Sequence, residues 1–187
     1  MNNILIFIGP SGGGKTTIAE RLDATLDFVK VVTDTSRNPR TNERDGIDYN
    51  FVSRDYFKLH ADDYIETNVF RSGHIYGSNA MRINKARANA DAVICVEING
   101  AGAIKKYYGD LAHIIYIHRD LDKIYAVLDE RLANGDMTID EVTERKEKIL
   151  QEIESRRSEL VEFEVDNNGS LDDSLLQVKQ YVENGYR

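Results

Sequence analysis

Nine residues near the N-terminus carry the clearest chemistry in this chain. Residues 9–17 read Gly-Pro-Ser-Gly-Gly-Gly-Lys-Thr-Thr, which fits the phosphate-loop pattern of a glycine, four residues and Gly-Lys-Ser/Thr. Glycines let the backbone wrap closely around phosphate oxygens, and the amides at the start of a helix attract anions. The pattern therefore predicts a phosphate-binding loop in which Lys15 adds a cation and Thr16 offers a hydroxyl to Mg²⁺.

Such a loop must lie between a strand and a helix, and the flanking residues have the required patterns. Residues 4–8 form a short apolar run, which is typical of a fully buried strand. Ile18, Ala19, Leu22 and Leu26 follow at the spacing of one helix face. This context disfavours the alternative that a glycine-rich turn matches the pattern by accident.

The remaining chain alternates short apolar runs with amphipathic stretches. This alternation predicts an α/β fold with a parallel sheet covered on both faces, that is, three layers, and a site at the carboxyl ends of the strands. The expected strands are 4–8, 28–32, 92–98, 113–118 and 163–165. One helix is expected directly after the loop and one at the end of the chain. The other expected helices are 79–89, about 99–108, 121–132 and 138–160.

Residues 33–78 interrupt this alternation. A polar loop with three arginines covers 33–46, and long loops in compact domains are often functional. A strand at 48–52, a short helix capped by Ser53 and two β segments at 63–70 and 75–76 are expected to follow, the segments being joined by a turn that includes Arg71. This region therefore reads as a small, partly β insertion.

Size and composition limit the class of protein. A chain of 187 residues with 41% hydrophobic residues predicts one globular domain. The net charge of −8 argues against binding to bulk nucleic acid. Cys95, the only cysteine, is expected to be a buried thiol. Because the first strand starts by residue 4 and no apolar run is long enough to span a membrane, we expect a soluble cytoplasmic protein without membrane partners.

Four further motifs follow the phosphate loop in order: Arg37-Asn38-Pro39-Arg40, then Glu43-Arg44-Asp45-Gly46-Ile47-Asp48-Tyr49-Asn50-Phe51-Val52-Ser53, then Tyr76-Gly77-Ser78, then Glu97-Ile98-Asn99. In this order and at these distances they resemble guanylate kinase, and the resemblance covers most of the chain. It implies the P-loop kinase fold and Mg²⁺-dependent transfer of the γ-phosphate of ATP to GMP.

The resemblance also implies a division of the chain. The nucleotide-binding core would comprise residues 1–32, 79–132 and 147–187. The GMP-binding insertion would comprise residues 33–78, and a mobile helical lid would comprise residues 133–146. The implied partners are the small nucleotides ATP and GMP, and the chain is expected to be a monomer or a homodimer.

Residue roles carry over from the family motif by motif. The residues expected to bind ATP are Ser11, Gly12, Gly13, Gly14, Lys15, Thr16, Thr17 and Asn167. The residues expected to bind GMP are Thr33, Arg37, Arg40, Tyr49, Glu66, Tyr76, Ser78 and Asn99. The residues expected to assist transfer are Lys15, Arg37, Arg131 and Arg145, with Lys146 or Arg119 as possible substitutes for a lid arginine. The residues expected to hold Mg²⁺ are Thr16 and Glu97.

Residue chemistry independently supports two of these roles. Arg37 and Arg40 lie three apart in a loop, and each can present a planar fork to phosphate oxygens. Guanine presents two donors on one edge, which a carboxylate such as Glu66 can accept. Adenine has an acceptor at N1 and would leave that carboxylate mismatched.

The chain departs from the family pattern at two places that bear on activity. Glu97-Ile98-Asn99 stands where the family usually has Asp-x-Asp. Ala133-Asn134-Gly135-Asp136 stands where the lid usually has a Gly-Arg-Gly turn. Two alternatives to GMP phosphorylation therefore stay open. One is a kinase with another acceptor, such as dGMP, a different nucleotide or a phosphorylated sugar, and the other is a weakly active module that binds proteins.

Overall fold

The computed structural model describes residues 2–40, 43–70 and 72–186 of the chain. Arg71, which the sequence places in the turn between two β segments, lies outside this part. Among the described residues, no helix is both long and apolar enough to cross a bilayer.

The centre of the molecule is a five-stranded sheet in the order β2-β7-β1-β8-β9, with every neighbouring pair parallel. This arrangement confirms the predicted α/β class and the parallel core sheet. The strands of this sheet are β1 (Ile4–Ile8), β2 (Phe28–Lys30), β7 (Asp91–Cys95), β8 (Ala112–His118) and β9 (Phe163–Asp166).

Helices cover both faces of this sheet because its strands are apolar on both sides. In β1, Ile4, Ile6 and Ile8 face one core, while Leu5 and Phe7 face the other. All five side chains are fully buried. The predicted three-layer arrangement follows directly from this two-sided burial.

Seven helices lie in the described part of the chain, and four of them form the two outer layers. The first core includes residues of α3 and α4, and the second includes residues of α1 and α7. The helices are α1 (Lys15–Thr25), α2 (Arg54–Leu59), α3 (Ala80–Ala86), α4 (Ile98–Tyr108), α5 (Leu121–Ala133), α6 (Ile139–Glu154) and α7 (Leu171–Glu183).

The region between β2 and α3 contains a second sheet of four strands in the order β4-β3-β6-β5. Its long hairpin pairs β5 with β6 in antiparallel fashion, whereas the short β3 pairs with β4 in parallel. The strands of this sheet are β3 (Asp34–Thr35), β4 (Asn50–Phe51), β5 (Tyr64–Val69) and β6 (Ile75–Asn79). Ser53 caps α2 as expected, by accepting a hydrogen bond from the Tyr56 amide.

Several predicted element boundaries were wrong. Strand β7 ends at Cys95 instead of residue 98, because Glu97 is the N-cap of α4 and Ile98 already belongs to that helix. Helix α6 ends at Glu154 and continues as a short 3-10 turn instead of reaching residue 160. Strands β2 and β4 and helix α3 are also shorter than expected.

Helices α5 and α6 pack against each other beside the phosphate loop. Their contact has a separate apolar cluster that includes Ile124, Leu128, Val142 and Ile149. The predicted capping box starts α6, because the Thr138 hydroxyl accepts from the Glu141 amide and the Glu141 carboxylate accepts from the Thr138 amide. The range 133–146 therefore contains a turn and the first half of a well-capped helix.

Candidate active site

One cavity of about 620 Å³ opens at the carboxyl ends of the core strands and extends to the small sheet. The phosphate loop, the small sheet, the start of α4 and the α5–α6 pair all contribute to its lining. Of the residues predicted from the sequence, sixteen line it: Ser11, Gly12, Gly14, Lys15, Thr16, Thr17, Thr33, Arg40, Tyr49, Glu66, Tyr76, Ser78, Glu97, Asn99, Arg131 and Arg145.

The phosphate loop has the backbone geometry that its glycines permit. Gly14, immediately before α1, has φ +91°, and a Cβ built there would lie 2.2 Å from Nδ2 of Asn167. Asn167 donates to the Gly13 carbonyl at 2.8 Å and accepts from the Ser174 hydroxyl at 2.8 Å. Asn167 thus bonds the loop through its amide nitrogen and is held by Ser174 of α7 through its amide oxygen, while its contact with ATP stays a prediction.

Lys15 lies folded onto the loop that precedes it. Its ammonium donates to the carbonyls of Gly9 at 2.7 Å and Pro10 at 2.9 Å. Burial lowers the pKa of Lys15, and the nearby Glu152 carboxylate opposes that shift. A bound phosphate would offer this cation stronger acceptors than neutral carbonyls.

Arg37 lies behind the cavity wall and is only 7% exposed. Its guanidinium donates to both carboxylate oxygens of Glu43, each at 2.9 Å, and its Nε donates to the Tyr76 hydroxyl at 3.1 Å. These bonds raise the pKa of Arg37 against the effect of burial. Arg37 therefore holds Glu43 and Tyr76 in place, while its direct contact with a phosphate stays a prediction.

Arg40 faces the cavity and connects the small sheet to helix α6. Its Nη2 donates to the Glu141 carboxylate at 2.7 Å. Arg131 also lines the cavity. Burial lowers the pKa of Arg131, and the charges of Arg145 and Arg40 lower it further. Three arginines from separate elements thus converge at one place, which favours a polyanion there.

The β5–β6 hairpin positions the predicted base-binding pair. Glu66 and Ser78 are cross-strand partners, and the Ser78 hydroxyl donates to the Glu66 carboxylate at 2.6 Å. Helix α4 also lies close to Glu66, because a Cβ built on Gly100 would lie 3.1 Å from the Glu66 carboxyl carbon. Burial raises the pKa of Glu66, and the charge of Glu97 adds to this effect.

Glu97, the N-cap of α4, lies two residues after the end of β7 and lines the cavity, as Thr16 does. Its carboxylate accepts from Nδ2 of Asn68 at 2.8 Å, which ties the core sheet to β5 of the small sheet. Asn99 follows in the first turn of α4 and also lines the cavity. Two oxygen donors, the Thr16 hydroxyl and the Glu97 carboxylate, are therefore available next to Lys15.

Helix α6 brings Arg145 to the loop. Nη1 of Arg145 donates to the Ser11 hydroxyl. Lys146, the possible substitute, instead donates to Asp129 at 2.7 Å and lies over the Tyr125 ring. Arg119 lies against the loop and donates to the Gly12 carbonyl at 3.4 Å. Of these three cations, Arg145 is the one that lines the cavity.

Sequence reasoning missed several residues that shape the cavity. Glu43 and Asn68 lie close in sequence to predicted residues, and Glu43 is the first residue of the motif at 43–53. Glu152 follows Arg145 by seven residues, which is two helical turns and hence the same helix face. Cys95 was expected to be buried, but it is partly exposed because it lines the cavity.

Comparisons with known proteins agree with this geometry. A family model described as guanylate kinase matches residues 1–185. A guanylate kinase from Schizosaccharomyces pombe is 32% identical over 98% of this chain and 86% of its own length. A guanylate kinase from Salinibacter ruber is 28% identical over 96% of this chain and 97% of its own length.

The fold agrees as well. The crystal structure of guanylate kinase from Anaplasma phagocytophilum superposes with a TM-score of 0.73, covering 99% of this chain and 86% of that one, at 18% identity. Fold and cavity together define a P-loop kinase in which a second, arginine-rich half faces the phosphate loop. The family match is specific, and the chain belongs to the guanylate kinase family.

Proposed function

We propose that this protein transfers the γ-phosphate of ATP to GMP and forms ADP and GDP. The observation that carries this proposal is that one cavity joins the phosphate loop to Arg40, Tyr49, Glu66 and Ser78. A donor triphosphate and an acceptor monophosphate need such a continuous space, because phosphoryl transfer depends mainly on positioning and charge stabilisation.

In the donor half, the loop amides at the start of α1 would hold the ATP phosphates. Lys15 would exchange the Gly9 and Pro10 carbonyls for phosphate oxygens. Arg131 and Arg145, from α5 and α6, would neutralise charge that spreads over the transferred group. No general base is required, since the acceptor phosphate is already an anion.

The oxygen ligands available in the cavity fit Mg²⁺. This ion favours oxygen ligands and is commonly bound by one or two protein groups together with phosphates and water. Thr16 and Glu97 would hold it, the first through its hydroxyl and the second through its carboxylate. Bound there, Mg²⁺ would neutralise phosphate charge.

In the acceptor half, Arg40, Tyr49 and Tyr76 would hold the GMP phosphate, with Arg37 fixing Tyr76 from behind. Glu66 would accept from the two donors on the guanine edge, and Ser78 and Asn99 would add neutral polar contacts near the base. Thr33 also lines the cavity. Because Asn99 carries no charge, Glu66 is the main charged determinant for guanine in this arrangement.

A coupled assay for ADP formation with GMP, dGMP and AMP as parallel acceptors tests this proposal. We expect GMP to be the best acceptor and AMP to be poor, because adenine places an acceptor opposite Glu66. Turnover with dGMP or another acceptor but not with GMP would refute the assignment. Absence of turnover together with absent Mg·ATP binding would instead favour a protein-binding module.

A further inference from the structure

Glu152, in the last turns of α6, is not among the residues that would bind ATP, GMP or Mg²⁺ in the proposed reaction. Its carboxylate accepts from the Ser11 amide at 2.8 Å. It also lines the cavity beside the phosphate loop. An acid this close to a site for a triphosphate calls for an explanation, because like charges repel.

The partner of Glu152 is one specific peptide group. The peptide between Pro10 and Ser11 donates its N–H to Glu152, while its carbonyl accepts from the Lys15 ammonium at 2.9 Å and from the Gly13 amide at 2.9 Å. Both ends of this peptide are therefore fixed, and its orientation is set by charged groups on opposite sides.

The Lys15 ammonium cannot bond the Pro10 carbonyl and a phosphate equally well. When Lys15 turns to the phosphates, the carbonyl side loses its charged partner, whereas Glu152 still holds the N–H side. The same helix also reaches Ser11 through Arg145, seven residues earlier on the same face. One residue of the loop is thus held by an acid and a base of α6.

On this basis we propose that Glu152 is a positioning residue, which anchors the Pro10–Ser11 peptide so that the loop keeps its shape and Arg145 stays in place. This inference rests on the proposed function, since it assigns Glu152 to the donor half of that site. The acceptor oxygen of Glu152 is the required feature, and its negative charge is secondary.

Two variants of similar volume separate these features. Glu152→Gln keeps an oxygen acceptor for the Ser11 amide, whereas Glu152→Met removes it. Glu154→Met is the matched control, because Glu154 lies on the same helix and its carboxylate pairs with the largely exposed Arg157. The measurements are kcat and KM for ATP and for GMP, and ADP affinity by calorimetry without any acceptor.

We expect Glu152→Met to lower kcat/KM for ATP and ADP affinity by roughly tenfold, because the Ser11 amide would be left without its acceptor. KM for GMP should stay within about twofold, and Glu152→Gln should recover ADP affinity to within about threefold of wild type. Glu154→Met should match wild type.

Two results would overturn the inference. One is ADP affinity of Glu152→Met equal to that of the control, and the other is a loss in Glu152→Gln as large as in Glu152→Met. The ADP measurement needs no acceptor, so it separates this inference from the proposed reaction. Suppose that the wild type fails to phosphorylate GMP, while Glu152→Met still binds ADP more weakly than the wild type does. That result would refute the proposed function and support the positioning role.

Discussion

The two halves of the cavity are built from different parts of the chain. The donor half is a loop whose backbone amides and glycine conformations define the site, with Gly14 at φ +91° as one example. The acceptor half is a wall of side chains from the small sheet and from the loop that follows β3. There Arg37 pairs with Glu43, Arg40 with Glu141, and Glu66 with Ser78.

This difference has a consequence for binding. Most amides of the loop can receive a phosphate without displacing a charged side chain, because a backbone N–H carries no counter-ion. In the acceptor half, the charged side chains that would bind GMP already have protein partners. Acceptor binding must therefore exchange one set of ion pairs and hydrogen bonds for another, and its affinity depends on the difference between the two sets.

The largest effect should follow from closing the space in the donor half. Gly14→Ala places a Cβ at positive φ and within 2.2 Å of Asn167, so the loop or Asn167 must move. We expect kcat/KM for ATP to fall by about 100-fold or more, since a misplacement of about 1 Å can cost that much. Steady-state kinetics with varied ATP measure this loss.

Gly185→Ala is the control for backbone strain alone. Gly185 also has positive φ, +73°, but within the described part of the chain nothing lies within 4 Å of a Cβ built there. Its activity should equal that of wild type. Equal activity of Gly14→Ala and Gly185→Ala would contradict the view that the backbone of the loop defines the donor half.

Arg40→Ala should have the next largest effect, and it should be confined to the acceptor half. If Arg40 donates to the GMP phosphate as proposed, its loss should raise KM for GMP by roughly 10- to 100-fold, with KM for ATP nearly unchanged. Arg157→Ala serves as control, because that side chain is 80% exposed. A similar rise in both KM values for Arg40→Ala would show that the halves are not independent.

Glu66→Gln should weaken GMP binding and stabilise the free protein. The amide cannot accept from both guanine donors, so KM for GMP should rise by about tenfold. Burial raises the pKa of Glu66 above its ordinary 4.5, which means that the charged form costs stability at neutral pH. Removing that charge should raise Tm by a few degrees at most, given about 2–4 °C per kcal/mol at this size.

The pH dependence distinguishes the charge from the shape of Glu66. A raised pKa means that the folded protein protonates Glu66 at a higher pH than the unfolded chain does. The gain in Tm for Glu66→Gln should therefore shrink as the pH falls through the raised pKa. Over the same range, KM for GMP of wild type should rise toward that of the variant, and a constant difference in Tm would contradict this account.

The donor half was predictable from sequence because its determinants are local. The loop glycines, the strand before them and the helix after them lie within residues 4–26, and their patterns are independent of the rest of the fold. The bonds of Glu141 to Arg40 and of Glu152 to Ser11 join residues 101 and 141 positions apart. No local pattern sets such contacts, because they depend on how α6 packs beside the small sheet and the loop.

The predicted ends of some strands and helices were wrong for a related reason. The apolar run at 92–96 continues one residue past the end of β7, and hydrophobicity alone cannot show that Glu97 caps a helix. The capping box of α6 was predicted correctly, since Thr138 and Glu141 interact within one helical turn. Glu141 nevertheless has a second role, as the partner of Arg40, that its local pattern does not reveal.

The smallest predicted effect tests that second role. Glu141→Gln keeps the capping box, which accepts glutamine, but removes the charge that pairs with Arg40. Partly exposed ion pairs contribute about 0.2–1 kcal/mol, so releasing Arg40 should lower KM for GMP by at most about fivefold. Asp140→Asn, an exposed neighbour on the same helix, should leave KM unchanged. If KM for GMP did not fall in Glu141→Gln, acceptor binding would not require Arg40 to exchange partners, and the contrast between the two halves would lose its energetic basis.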